Sequence, residues 1–401
     1  MKSFRNSVLI LTICFCVFVL NVVNAGILWE KELVLNENTN SSPLASCLNK
    51  HANGVIVMTA ESPKGSLPVS RGDCVLWEVE DSGNTMRILL KNIDGNAIQT
   101  EAKPVGPGSA IANDNSGNIL TIGILGRQKK GQKVGIISGV DKSERIMSTR
   151  NHIENHSIKK LIPLRDNTFV LVGDRNGDGL FLRIDSEGKT IQEKLFDMGH
   201  REMLTDAGRL KPDNSHLAVV GLSTKISPRN PSENSAENFI LIYDSKQKII
   251  HEDYFPEEIP GLLFPKLCCL DNGNIIVLYR KESTDSKTLL WARSYTQELK
   301  LLWEKEIFVA GQSTFAFDIV SHGPSGFTVG IIPKIQQNNV LGFYFFNEDG
   351  TKTGHTQYEG MVGMLGFNLM YVNGKTIAVF QEYTPGNIKE CTIKAKVIAL
   401  N

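Results

Sequence analysis

Two groups of side chains in this 401-residue chain have the types and spacing of metal ligands. The first is His152-x-Glu154-x-His156. Residues two apart on an extended strand project to one side, so a strand here would present two imidazoles and a carboxylate together. His200 and Glu202 stand on the next connection of the same kind, and imidazole with carboxylate suits zinc, copper, nickel or iron. The second group is Asp174-x-Asn176-x-Asp178-Gly179 followed by Asp185. It follows the spacing of a calcium loop, with oxygen ligands at positions one, three, five and twelve and glycine at six. Its flanks depart from that pattern. Such a loop joins helices, whereas here one strand-like run ends at Val172 and another begins at Leu180, and position twelve is Asp rather than the longer Glu. A polar hairpin turn accounts for the same residues without a metal, as exposed loop positions do for the histidines.

Signals for other chemistry are absent. The chain has no G-x-S-x-G elbow, H-E-x-x-H pair, P-loop or dinucleotide fingerprint, and no C-x-x-C-H for covalent haem, so no catalytic residue is assigned. Asp81-x-Gly83-x-Thr85 and Asp349-Gly350-Thr351 share part of the Asp-box of sialidase-like propellers, but Met86 stands where the first would need its closing tryptophan. Turn chemistry explains both. Of seven cysteines, Cys14 and Cys16 fall in an N-terminal apolar segment, leaving Cys47, Cys74, Cys268, Cys269 and Cys391. Cys47 and Cys74 are expected on the inner and third strands of one sheet, about 9–10 Å apart. That exceeds the roughly 7 Å between Cα atoms that a disulfide spans.

The elements that must position these residues recur. Short apolar strands, each entered through a turn rich in Asn, Asp, Gly or Ser, lead with Val55, Ile119, Phe169, Leu217, Ile275, Phe327 and Ile377, spaced by 64, 50, 48, 58, 52 and 50 residues. A period near fifty, in strands without helices, predicts a propeller. Each unit continues with a strand, a polar turn and a further strand, as at Asp81-Ser82-Gly83-Asn84, Ser186-Glu187-Gly188-Lys189, Gln297-Glu298-Leu299-Lys300 and Glu348-Asp349-Gly350. With a preceding inner strand, every unit has four. The last unit lacks its outer strand. Leu28-Trp29-Glu30-Lys31-Glu32 repeats letter for letter the outer-strand sequence Leu302-Trp303-Glu304-Lys305-Glu306, so the N-terminal strand is expected to close the ring.

On these features the chain resembles secreted seven-bladed propellers of the WD40-like and quinoprotein-like kind, although the Gly-His and Trp-Asp signatures of WD repeats are missing. Among such proteins it is similar in architecture to the non-catalytic propeller (beta) subunit of hydrazine synthase. The resemblance implies an all-β, seven-bladed β-propeller of four-stranded blades over residues 26–401. It implies an interaction scaffold or a subunit of a larger complex, such as a redox complex of the hydrazine-synthase kind; the alternative is a hydrolase, lyase or isomerase with a loop-built site. Residues 1–25 read as a signal peptide: Lys2 and Arg5 precede an apolar run from Val8 to Leu20, and Val23-Asn24-Ala25 offers small residues for cleavage. Export to a periplasm-like or extracellular compartment is therefore expected, with no membrane span after cleavage.

Lys plus Arg equals Asp plus Glu at 43 each, so no overall field draws nucleic acid. Charge is instead sorted by loop. Connections from outer to inner strands carry Glu37, Asp94, Glu101, Glu154, Asp197, Glu202, Glu257, Glu258 and Glu359 against Lys103 and Arg201. Second-to-third-strand loops carry Arg127, Lys129, Lys130, Lys225, Arg229, Arg280 and Lys281. An acidic channel mouth inside a basic rim favours a cation or a mixed-charge protein surface.

Overall fold

The computed structural model describes residues 26–401 except 38, 52–53, 65–71, 90–98, 101–109, 114–118, 126–133, 141–145, 155, 187, 211–215, 226–234, 258–263, 283–287, 310–314, 324–325, 334–339, 361 and 384–392. The expected signal segment and Cys391 lie outside the described residues; among the described residues no helix is long and apolar enough to cross a membrane. All elements are strands. One sheet holds β2 (Thr39–His51), β3 (Gly54–Pro63), β4 (Gly72–Glu80), β5 (Thr85–Leu89), β6 (Gln99–Thr100), β7 (Ala110–Asn113), β8 (Ile119–Leu125), β9 (Val134–Val140) and β10 (Ile146–Glu154). Four sheets of consecutive strands follow. They are β11 (His156–Pro163) to β14 (Thr190–Phe196), with β12 (Phe169–Arg175) and β13 (Asp178–Ile184), and β15 (Arg201–Arg209) to β18 (Ile249–Glu257), with β16 (Leu217–Lys225) and β17 (Ser235–Tyr243). Next come β19 (Lys266–Cys269) to β22 (Leu301–Val309), with β20 (Ile275–Glu282) and β21 (Thr288–Tyr295), and β23 (Phe315–Ser321) to β26 (Lys352–Tyr358), with β24 (Gly326–Pro333) and β25 (Leu341–Asn347). The last sheet, β27 (Val362–Val372), β28 (Lys375–Tyr383) and β29 (Ile393–Leu400), takes β1 (Ile27–Leu33) as its outer strand.

The fold is a β-propeller of four-stranded antiparallel blades. Counted by hydrogen-bonded sheets it has six blades, not the seven expected. The difference lies in the nine-stranded sheet, where the units led by Val55 and Ile119 are sutured by β6. Its Thr100 pairs with Gly72 of β4 and with Leu125 of β8, so one two-residue strand bridges both units. The innermost strands β2, β7, β11, β15, β19, β23 and β27 neighbour one another in a closed circuit.

The apolar run in each second strand follows from burial on both faces. Alternate residues point to opposite sides of a sheet. Along β28, Ile377 and Val379 enter the cluster shared with Val55, Val57 and Val75, while Ala378 and Phe380 enter the one shared with Leu341 and Phe343. Along β20, Ile275 and Val277 pack toward Ala218 and Ile240, and Ile276 and Leu278 toward Phe327 and Val329. A strand wedged between two sheets has no polar face to alternate with, which is why these runs read as continuously hydrophobic.

The third-to-fourth-strand turns do more than reverse the chain. Gly83 and Gly350 have φ of 81° and 77° in their hairpins, and glycine carries no penalty there. In both cases the outer-strand tryptophan of the preceding sheet lies on the turn. Trp29 Nε1 donates to the Asp81 carbonyl at 3.0 Å, and Trp303 Nε1 donates to the Glu348 carbonyl at 3.1 Å. A Cβ on Gly83 would come within 3.3 Å of the Trp29 ring, and one on Gly350 within 3.0 Å of Trp303. Lys305 Nζ adds a bond to the Asp349 carbonyl at 2.6 Å, and Lys194 repeats it on Gln247. The matched pentapeptides and the Asp-Gly turns are thus two halves of one contact between blades.

Cys47 lies on β2 and Cys74 on β4, with β3 between them; Cys74 is opposite Ala60, and Ala60 is opposite Ser42 rather than Cys47. Cys268 and Cys269 are buried on β19. The ladder from Ile27–Leu400 to Leu33–Ala395 closes the ring, and Leu33 is fully buried in the core it completes. Residues 36–401 expressed without β1 should therefore expose the β29 edge and aggregate, whereas 26–401 should run as a discrete species on size-exclusion chromatography. A soluble, folded 36–401 would show that the closing strand is dispensable.

Candidate functional site

The register places four charged residues at one level of consecutive inner strands. Lys160 (β11) is opposite Val172, Asp206 (β15) opposite Val220, Lys266 (β19) opposite Leu278, and Asp318 (β23) opposite Gly330. The signs alternate. Lys160 Nζ is 3.4 Å from Asp206 Oδ1, and Lys266 Nζ is 3.9 Å from Asp318 Oδ1. Each aspartate's second oxygen reaches the following sheet: Asp206 Oδ2 accepts the Leu267 backbone N–H at 3.1 Å, and Asp318 Oδ2 accepts that of Leu369 at 2.7 Å. Thr205 Oγ1, beside Asp206, donates to the Pro265 carbonyl at 2.8 Å. Both aspartates are buried, and a buried carboxylate persists only with such partners.

The environment separates the members of this set. The Asp206 carboxylate holds the Lys160 ammonium above the usual lysine range, against the desolvation that opposes it. Lys160 keeps 35% of its side chain open, so it is not sealed in a dry core. Burial pushes the Asp318 carboxyl up, with Lys266 and Lys160 pulling the other way and Asp206 adding repulsion. Lys159, the preceding residue of β11, has its ammonium lowered by burial.

The residues expected to bind metal are redistributed. Asn176 and Gly177 form a two-residue turn, with φ of 56° and 103°, between β12 and β13. Arg175 pairs with Asp178 and Asp174 with Gly179, so Asp174 and Asp178 project to opposite faces. Asp185 follows the far end of β13, about 20 Å away at the usual rise per residue, and accepts the Lys189 N–H at 2.8 Å. The twelve-residue calcium loop is therefore replaced by a tight hairpin, as Asn-Gly chemistry favours. His152 and Glu154 share β10, but His156 opens β11 opposite Arg175, in the next sheet; the three side chains lie outside the described residues. The side chain of His200 is exposed, and its backbone N–H donates to Glu202.

One regrouping brings predicted ligands together across the two groups. Asp178, Asp197 and Glu202 hold carboxylate oxygens all within 4.8 Å of one another. Asp197 is one of the acidic connection residues, a position that sequence spacing alone does not single out. The inner-strand charges were legible only in hindsight: Lys160, Lys266 and Asp318 each stand nine residues before Phe169, Ile275 and Phe327, a constant offset within the repeat.

No family model matches the chain, and no curated protein matches it. Solved structures show the fold. The chain is similar to polysaccharide lyase Uly1 at 11% identity and a TM-score of 0.52, with 94% of each chain covered. It is also similar to virginiamycin B lyase from Staphylococcus aureus, at 10% identity and a TM-score of 0.45, covering 92% of this chain and 98% of that one. A protein of unknown function from Bacteroides caccae matches at 13% identity and a TM-score of 0.39, covering 65% of this chain and 82% of that one. The expected kinship with hydrazine synthase is not supported, and the likeness to Uly1 shows the fold alone.

Between the ordinary carboxylate value and the raised value of folded Asp318, the folded chain keeps a proton that the unfolded chain has released. Stability from this group therefore falls as pH rises through that window. Asp318→Asn cannot ionise and still accepts the Leu369 N–H. Its urea midpoint relative to wild type should rise between pH 4 and pH 7, whereas Asp318→Ala, which orphans that N–H, should lose about 1–3 kcal/mol at both. A pH-independent difference between wild type and the Asn variant would place Asp318 among ordinary carboxylates.

Proposed function

We propose that this chain is an exported, non-catalytic propeller that acts as an interaction scaffold or subunit of a larger assembly. One observation carries the reading: the charges of the inner strands are committed to bracing the ring. Asp206 and Asp318 each bind a neighbouring sheet's backbone and stand 3.4 and 3.9 Å from a lysine, so their oxygens are engaged in holding the ring. The circumference offers a surface for recognition. Outer strands leave large aliphatic side chains in water, among them Leu301, Leu302 and Val309 on β22, Ile191 and Leu195 on β14, and Ile27 and Leu28 on β1. Aliphatic groups set among charged ones suit a protein surface better than a small polar ligand. The signal-like N-terminus supports export, and the balanced charge supports protein over nucleic acid as partner.

The test is isolation of the full-length protein from its native source under mild conditions. A scaffold subunit should co-purify with a partner at fixed stoichiometry, and Leu301→Glu with Leu302→Glu should weaken that association at least tenfold without altering the melting temperature by more than a degree or two. A monomer that turns over a substrate by itself would overturn this reading in favour of a loop-built enzyme.

A further inference from the structure

The carboxylates of Asp178, Asp197 and Glu202 converge because the backbone directs them to one place. Gly179 of β13 is paired with Phe196 of β14, so the residues one step beyond, Asp178 and Asp197, face each other across the end of the hairpin. Glu202 comes from the next sheet, where its N–H donates to the Gly177 carbonyl at 2.6 Å and ties β15 to the turn that precedes Asp178. Opposed like charges on adjacent strands are destabilising, and here a third is added. No lysine or arginine forms an ion pair with any of the three among the described residues.

Glu202 supplies a separate observation. Its side chain is 0% exposed. Oε1 accepts the His200 N–H and the Ser223 hydroxyl, both at 3.1 Å, while Oε2 is buried without any hydrogen-bond partner. A buried carboxylate oxygen left unpaired is costly, and a bound cation removes that cost. We propose that Asp178, Asp197 and Glu202 bind a hard divalent cation, calcium, which links the β11–β14 sheet to the β15–β18 sheet. The donor set is all oxygen, which excludes a preference for soft metals. Oxygens on one calcium ion at 2.3–2.6 Å stand no more than about 5 Å apart, a limit that the 4.8 Å spread meets. Magnesium, at about 2.1 Å, would need the group to contract. Asp178 is partly buried and Asp197 exposed, so the ion enters from solvent and keeps waters on its open side. The inference is independent of the scaffold reading.

Full-length protein stripped with chelator and titrated with calcium chloride should show saturable heat for one ion per chain by calorimetry. At calcium a hundredfold above Kd the melting temperature should rise by about 3 °C. Asp197→Asn, an exposed change that leaves the fold intact, should weaken binding at least tenfold, and Asp178→Asn should do the same. Absence of saturable binding below millimolar calcium in the wild type would overturn the proposal. So would calcium affinity unchanged in both Asn variants, since the ion would then sit elsewhere.

Discussion

The antiparallel ladder between Ile27–Leu33 and Ile393–Leu400 is the contact on which the rest of the ring depends. A sheet whose middle strands are apolar on both faces is stable only between two others, and in a row of such sheets the first and last each leave a face in water. Closing the row removes both exposed faces at once. Here closure fills the core that holds Leu33 with Val55, Val57, Val379 and Val397, every one of them buried. The ion pairs that accompany the ladder, Lys394 with Glu32 and Lys396 with Glu30, involve exposed carboxylates and contribute little beside that burial. Backbone pairing sets the register, and apolar area supplies the driving force.

Once the ring is closed, neighbouring sheets are held at two radii by different chemistry. At the periphery an indole lies over the glycine of the next hairpin and a lysine caps a turn carbonyl. At the centre, carboxylates take backbone N–H groups from the following inner strand. Both devices use polar groups that already face the next sheet, so neither disturbs the alternating apolar packing between them. The central one also fixes sign: a carboxylate that anchors a neighbour's N–H needs a lysine within reach, and the inner strands supply them in the order Lys160, Asp206, Lys266, Asp318.

The legible part of the fold was the part governed by period. Seven lead residues from Val55 to Ile377 each fall within the first three residues of a second strand, and the repeated Leu-Trp-Glu-Lys-Glu located both β1 and β22, because alternation and turn chemistry are local. The number of blades was not legible, since β6 is two residues long and bridges β4 and β8 through backbone bonds that leave no side-chain signature. The candidate site was legible residue by residue but not as a set. Asp178 and Glu202 were visible as ligands, yet spacing assigned them to different groups, because sequence proximity favours Asp174 and His200 while the pleat turns Asp174 away. Asp197 entered through the pairing of Gly179 with Phe196, a register that the intervening turn decides.

The equal totals of 43 acidic and 43 basic side chains conceal an uneven placement. Asp206 and Asp318 each have a lysine and a backbone donor, so charge balance is built into the chain and that group is structural. At the connection from β14 to β15, three acids meet with no basic side chain among the described residues to answer them, and Glu202 is buried there all the same. A cation taken from solvent supplies there the counter-charge that the described residues do not. The contrast between the two acidic environments, rather than either alone, separates a brace from a binding site in a ring whose overall charge is zero.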